Sequence, residues 1–290
     1  MRLEECRLEW KRIIEGEEVL KVNQIGELVY LTFPALEEQT WLTHCFSTRM
    51  GGVSEGIYAS MNFREDAKDK EENVRENYRR IAGVLGADVN RFVRSRLVHG
   101  NRVHLVTEED YGEGVVRPSR LEGYDGLMTD QPGVTLVATF ADCVPLYFAD
   151  PVHRAIALSH SGWRGTVAQI GKETLKAMKR SFGTNPEEVI VGIGPCICKD
   201  CYEVGEEVME LFRKELYGID LDGIGEEKGD GRYRLDLRRA NQEILLAAGV
   251  LEEHLFIADF CTCCNDRYLF SHRATQGKRG NLGAFLSILA

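Results

Sequence analysis

From Val134 to Ser159 the chain is apolar or small at nearly every position, interrupted by Ala-Asp-Cys at 141–143 and by Asp150-Pro151. The runs Val134–Phe140 and Val144–Ala149 are too short and too rich in β-branched and aromatic residues for helices, so they predict buried strands. Arg154–Ser159 predicts a third strand after the Asp-Pro turn, and Val189–Ile193 and Leu255–Asp259 predict two more. Elsewhere the apolar spacing is helical. Val74, Tyr78, Ile81, Ala82 and Leu85 share one face over residues 71–86, closed by Gly86. Val167, Ile170, Thr174, Ala177 and Met178 do the same from Thr166 to a stop at Gly183, and further helices are predicted over about 205–216 and 236–248, the latter N-capped by Asp236. Leu28–Phe33 alternates before Pro34, which makes residues 1–43 a predicted hairpin that covers the sheet. The glycine- and acid-rich stretch Asp220–Gly231 reads as a surface excursion; Ile224 and Gly231 stand where a calcium loop requires carboxylates. With no repeat, low-complexity tract or linker, the pattern predicts a single α+β (mixed α/β) domain.

Charge and composition narrow the function. Asp and Glu outnumber Lys and Arg by 46 to 36, a net charge of −10 that argues against nucleic acid or an anionic membrane as partner. An anionic small substrate remains compatible with it, through local arginines. The first residues, MRLEECRLEW, lack an apolar signal core, and no stretch approaches the roughly 18 apolar residues of a membrane span, so the expected location is cytoplasmic. Of nine cysteines, Cys6, Cys45 and Cys143 stand alone and six crowd into 196–201 and 261–264. In a reducing compartment they read as thiols or metal ligands, not disulfides.

The candidate chemistry sits at strand ends. Cys143 and His160 lie seventeen positions apart, each at the end of a predicted strand, and Ser161-Gly162-Trp163-Arg164-Gly165 forms a glycine-rich turn beyond them. His99, immediately before Gly100, reads either as a ring held at a bend near a cleft or as a structural histidine. Together His99, Cys143 and His160 match the three N and S ligands of a catalytic zinc centre, whose fourth position is left for water. A rival uses the same residues without metal, Cys143 as nucleophile and His160 as base of an amidase or deamidase. A third reading makes Cys196, Cys198, Cys201, Cys261, Cys263 and Cys264 a metal or iron–sulfur site of a thiol-rich, non-enzymatic metal-binding protein. Against it stands the favoured alternative of small buried side chains with some surface thiols. The loop Arg49-Met50-Gly51-Gly52-Val53-Ser54 is either an anion-binding turn or a plain one. Several classes fall away: no His-x-Glu pair serves a cytidine-deaminase site, no Walker loop or dinucleotide fingerprint is present, and seven histidines without a His-x-His pair do not equip a cupredoxin-type laccase.

Taken in order, Thr48–Ser54, His99-Gly100 with Val103, Asp125-Gly126, Ala141-Asp142-Cys143-Val144-Pro145, His160–Gly165, Gly194-Pro195 with Tyr202-Glu203-Val204, and the tail from Cys261-Thr262 to Ser271-His272-Arg273 resemble one family. It is that of the bacterial laccase-domain proteins, named polyphenol oxidases and later described as purine nucleoside phosphorylases. The resemblance begins near residue 25, which makes 1–24 an N-terminal extension and 25–290 the family domain. It implies layered mixed sheets flanked by helices, a fold similar to cytotoxic-necrotising-factor deamidases, whose Cys–His site keeps the thiol-nucleophile reading open. It also implies a transferase and hydrolase that phosphorolyses adenosine, inosine, guanosine and S-methyl-5'-thioadenosine and deaminates adenosine. Its substrates would be purine nucleosides and phosphate, and its state monomer or homodimer. Zinc, or copper if the phenol-oxidase name reflects chemistry, would be held by His99, Cys143 and His160. Within this reading Arg49 and Arg164 are candidates for binding phosphate, and Asp142 for orienting a ligand histidine or carrying a proton. Each of the three has a plain alternative as an ion pair or structural hydrogen bond. Leu97 departs from the family, which commonly has Gln two residues before the histidine.

Overall fold

The structure, a computed structural model, describes residues 8–13, 18–64 and 68–290. Two six-stranded sheets carry it. The first runs Lys21–Ile25, Leu28–Thr32, Leu42–Ser47, Leu282–Ile288, Thr135–Phe140 and Phe92–Arg94 in spatial order. The second runs Leu255–Ile257, Ile190–Ile193, Val144–Asp150, Ala155–Ser161, Gly126–Thr129 and Val103–Leu105. They pack face to face, because Phe46, Leu136, Ala138, Phe140, Ala284 and Leu286 of one share a core with Leu127, Tyr147, Ala149, Ile156 and Leu158 of the other.

The opposite faces are covered by helices. Glu71–Leu85 lays Tyr78, Ile81 and Leu85 on Cys45, Val137, Phe285 and Phe92 of the first sheet. Ile170–Phe182, Glu206–Glu215 and Leu237–Ala247 cover Val144, Leu146, Phe148, Ala157, Val191 and Ile193 of the second. The result is four layers, helix, sheet, sheet, helix. Central strands are buried on both faces, so the strand sequences run apolar without alternation. Each such Phe or Leu contributes roughly 1.5–3 kcal/mol by burial. The period of two survives in which core each residue enters: along Ala155–Ser161, Ile156 and Leu158 face the other sheet. Ser159 and Ser161 face the helices, where Ser159 bonds Thr174 and Ser161 bonds Thr166 and Asn241.

The mixed α/β domain expected from the pattern is observed, with four local differences. The helix after His160 begins at Trp163 and is interrupted at Gln169, which has φ +54°, before Ile170–Phe182 continues. The predicted strand to Asp259 ends at Ile257, where Ala258 N–H turns to the Ile193 carbonyl. The N-terminal hairpin does not cover a sheet; Leu28–Thr32 pairs with Leu42–Ser47 and makes the hairpin its edge. That hairpin starts at Lys21, and Leu20 is fully buried in the core, so the sheet takes in residues assigned above to the extension. Finally, the stretch read as a surface excursion contains the strand Gly225–Gly229, which pairs with Arg232–Leu235 and through it with Glu203–Gly205 in a third, small sheet. Gly-Glu-Glu-Lys-Gly has no apolar alternation because this edge strand lies largely in solvent.

His44 sits inside the first sheet, 4% exposed, and its Nε2 accepts the Phe33 backbone N–H at 2.8 Å. Burial opposes its charge and lowers its pKa to about 4 from the ordinary 6.5. The unfolded chain therefore binds a proton that the folded chain refuses between those values, and stability is lost as pH falls through 6.5 toward 4. Chemical denaturation at pH 7 and pH 4.5 should assign about 2 kcal/mol of the difference to His44. In His44→Gln, which keeps an acceptor, that part of the loss should vanish; an identical acid dependence in both proteins contradicts this account.

Candidate metal centre and its cavities

The hairpin Val144–Asp150/Ala155–Ser161 explains the seventeen-residue spacing. Its register places Val144 opposite Ser161 and Pro145 opposite His160, so Cys143 emerges one residue beyond the paired end, next to His160. His99 arrives from the loop before Val103–Leu105, on the same sheet. The Cys143 sulfur and one ring nitrogen of each histidine lie within 4.8 Å of one another. Gly162 makes room for this meeting: a Cβ there would stand 2.9 Å from His99 Nδ1 and 3.1 Å from Cys143 Sγ.

Asp125 holds the arrangement. Its Oδ1 accepts from His160 Nδ1 at 3.0 Å and from His99 N–H at 2.9 Å. Its Oδ2 accepts from Val98 N–H at 3.1 Å and Gly100 N–H at 2.8 Å. With Nδ1 so engaged, His160 turns Nε2 toward Cys143. His99 adopts φ +60°, a region costly for a side-chain-bearing residue, and three consecutive N–H bonds to one carboxylate keep it there.

The electrostatics are those of a paired thiol and imidazole. Burial disfavours the Cys143 thiolate, but the charge and ring N–H of His160, with those of His99, overcome it and bring the thiol down to about 6. Burial likewise disfavours charged His160, yet Cys143 and Asp125 raise it to about 9. Burial works against the Asp125 carboxylate too; the His160 and Gly100 hydrogen bonds prevail and lower its pKa.

Two cavities meet at this centre. One, of about 580 Å³, is lined by Arg64, Arg94, Arg96, Thr139 and Asn281 together with His99, Cys143 and His160. The other, of about 320 Å³, is lined by Trp163, Arg164, Ile197, Tyr202, Leu237 and His272 together with His99 and Cys143. Arg279 borders both. The first is basic, with four arginines; the second sets the rings of Trp163 and Tyr202 beside Arg164, Arg273 and Arg279.

The candidates named from the sequence separate here. His99, Cys143 and His160 come together, and Arg164 lines the aromatic cavity with its guanidinium 4.1 Å over the Trp163 ring. Asp142 lines the same cavity, but its carboxylate accepts from Thr262 Oγ1 and Arg273 N–H; the carboxylate on His160 is Asp125. Arg49 borders neither cavity. Its guanidinium donates to the Ala59 and Asp266 carbonyls and lies over Phe270. The glycines after it are packing glycines, since a Cβ on Gly51 or Gly52 would strike the backbone of Leu28 or Ser60. This loop is the plain turn. Arg64, Arg94, Arg96 and Arg279, which the sequence reading missed, carry no spacing signal; Lys278-Arg279 between Gly277 and Gly280 is the nearest thing to one. Leu97 lines the basic cavity where an amide is common in the family it resembles.

The donors fit a metal. One sulfur and two imidazole nitrogens converge, a carboxylate orients one ring from behind, and the cavities leave an open side, which is the composition of a catalytic zinc site.

Residues 43–289 match the family described as multi-copper polyphenol oxidoreductase laccase. The chain is 36% identical over 244 residues to the purine nucleoside phosphorylase YlmD of Bacillus subtilis strain 168, covering 84% of this chain and 87% of that protein. It is 34% identical over 233 residues to the adenosine deaminase RL5 of an unknown prokaryotic organism, covering 79% and 87%. The crystal structure of YlmD from Geobacillus stearothermophilus superposes with a TM-score of 0.87 at 32% identity, covering 94% of this chain and all of that one.

Asp125→Asn keeps the shape but turns one of the two acceptor oxygens into a donor amide facing two N–H groups and removes the charge. Competition with a chromogenic chelator should find metal affinity at the His99–Cys143–His160 centre weakened about 10–100-fold. Unchanged affinity would show that Asp125 does not orient the ligands.

Proposed function

This chain belongs to the family of multi-copper polyphenol oxidoreductase laccases, and we propose that it acts as a zinc-dependent purine nucleoside enzyme. Its reactions are phosphorolysis of adenosine, inosine, guanosine and S-methyl-5'-thioadenosine, and hydrolytic deamination of adenosine. The observation that carries the reading is the meeting, at one Cys–His₂ centre, of a cavity with four arginines and a cavity walled by the Trp163 and Tyr202 rings. Phosphate is an anion that wants guanidinium partners, and a purine is a flat heterocycle that wants aromatic walls. The names of the relatives, purine nucleoside phosphorylase and adenosine deaminase, agree with that pair of requirements.

His99, Cys143 and His160 would hold the ion. Zinc supplies Lewis acidity there and a water activated near neutral pH. Zinc is the ion proposed for this set because both reactions call for Lewis acidity and neither changes an oxidation state.

The chain's own residues divide the remaining work. Trp163 and Tyr202 flank the base, and burial, with Cys143 nearby, holds the Tyr202 phenol up at about 12, so it stays a donor. Arg64, Arg94 and Arg96 gather phosphate on the other side, and Arg279 stands at the junction where the ribose would lie. In phosphorolysis a phosphate oxygen bonds C1′ as the C1′–N9 bond breaks, and the purine leaves with a proton. In deamination water adds at C6 and ammonia leaves. Asp125 keeps His160 oriented through both.

The lowered Cys143 thiol and raised His160 favour one second reading, a metal-free thiolate–imidazolium hydrolase. Chromatography of products from adenosine, with and without phosphate, separates the two. Phosphate-dependent adenine and ribose 1-phosphate, with inosine in either condition, support the purine enzyme. Chelation or Cys143→Ala should abolish all three products. Absence of all three products from zinc-loaded protein would end the purine reading, and amide hydrolysis surviving chelation would favour the hydrolase.

The two cavities also predict a split in kinetics. Arg64→Ala should raise KM for phosphate by about tenfold or more, while phosphate-independent deamination changes less than about twofold. Equal losses in both reactions would remove the basic cavity as the phosphate site.

A further inference from the structure

A second cluster of metal-ligating side chains lies behind the aromatic cavity. Cys198 and Cys201 belong to the turn that follows the strand Ile190–Ile193, and Cys261 and Cys264 to the turn that follows Leu255–Ile257. These two strands are parallel neighbours, and the chains beyond them stay together through a bridge between Cys196 and Cys261. Each turn thus delivers a Cys-x-x-Cys pair to one place. The four sulfurs lie within 4.8 Å of one another, with Cys201 to Cys264 at 3.5 Å and Cys198 to Cys264 at 4.0 Å.

We propose that Cys198, Cys201, Cys261 and Cys264 bind a structural zinc ion, a second metal centre distinct from His99–Cys143–His160. Four sulfurs at about 2.3 Å from a tetrahedral ion stand about 3.8 Å apart, so the observed spacing needs little adjustment. The space holds one ion and not an iron–sulfur cluster, whose several irons push their ligands further apart. Backbone donors already face the sulfur that would carry negative charge: Cys198 N–H and Cys264 N–H point to Cys261 Sγ at 3.2 and 3.4 Å. N–H groups around a thiolate are the outer partners that metal–sulfur sites use. Ile13, Ile197 and Tyr202 pack around the cluster and restrict water. Cys196 and Cys263 stay outside the group of four, Cys196 in the helix-side core of the second sheet. Such a closed four-thiolate site has no open position and serves structure, not catalysis.

Its structural role is legible in what the two turns carry. Tyr202, next to Cys201, walls the aromatic cavity, and Thr262, next to Cys261, donates to Asp142 at 2.6 Å. Ile197 N–H also reaches the Asp142 carbonyl at 3.1 Å. An ion joining the turns therefore fixes the wall behind Cys143. This inference does not depend on the purine reading.

The test is metal analysis by mass spectrometry of the full chain purified with reductant after growth in zinc. Wild-type protein should carry about two zinc ions per chain, and Cys143→Ala about one. Adding Cys201→Ser and Cys264→Ser to Cys143→Ala should reduce zinc to near none. Undiminished zinc in that triple variant overturns the proposal, as does a Cys201–Cys264 disulfide in the reduced wild type. Because the serine variants can fail to fold, cobalt substitution of Cys143→Ala supplies a second measurement. Intense sulfur-to-cobalt charge-transfer absorption with tetrahedral visible bands is expected, and a spectrum without thiolate bands overturns the site.

Discussion

The buried carboxylate of Asp125 is the constraint on which this site depends. It is 1% exposed, and an ion so placed would cost several kcal/mol if left unpaired. Four donors compensate it, three from the backbone of residues 98–100 and one from His160. The main chain repeats the tie, since His160 N–H donates to the Asp125 carbonyl at 2.7 Å. One residue thus fixes the ring on the strand, the loop that brings His99, and the distance between them. Removing the charge would loosen both histidines at once, whereas removing either histidine would leave the other still held.

The layered architecture explains why the chemistry sits at strand ends. Strands covered on both faces leave no free surface along their length, and every polar side chain placed there needs a partner inside the core, as Ser159 and Ser161 have. Only where Val144–Asp150 and Ala155–Ser161 stop pairing can a thiol and an imidazole meet solvent-sized cavities. The same geometry sets two environments on either side of Cys143. On one side loops from the first sheet bring arginines; on the other, turns after the second sheet and the segment at Trp163 bring aromatic rings.

What was legible in the chain follows from this division. The central strands were readable because burial on both faces leaves an unbroken apolar run, and the helices because each buries one stripe. Cys143 and His160 could be paired because a hairpin relates their positions by register alone. His99 could be offered as a third ligand from its residue type and its place before Gly100 but not fixed by spacing, since no strand pairing links it to Cys143; the resemblance of the motifs pointed to the same residue. Asp125 was quoted as part of the Asp125-Gly126 motif but given no role, for a different reason. Its partners are mainly backbone N–H groups, which every residue has, so no pattern of side chains announces it. The Arg49 loop was left open between an anion site and a plain turn: Arg-Met-Gly-Gly suits an anion, and in the structure the glycines serve chain packing while the guanidinium caps carbonyls. The pairs Cys198-x-x-Cys201 and Cys261-x-x-Cys264 were in plain view, but grouping all six clustered cysteines concealed the spacing that metal turns use.

Two residues at the centre hold left-handed backbone without being glycine, His99 at φ +60° and Asp142 at φ +88°. Conformations of that kind cost of order 1–3 kcal/mol and persist only where surrounding bonds over-determine them. For His99 the bonds come from Asp125, inside the second sheet. For Asp142 they come from Thr262 and Arg273, in the segment that follows the last strand of that sheet. Arg273 reaches back in turn to the carbonyls of Cys201 and Glu203, closing a loop of contacts through both cysteine-bearing turns. Cys143 is therefore aimed by the residue before it, and that residue is held by the two cysteine-bearing turns, in which Ile197, Cys198, Cys261 and Thr262 are buried. The ion proposed between them would tie the two turns together. In a site assembled from the ends of elements, rigidity has to be supplied from behind, and the four sulfurs stand where that cross-link would act.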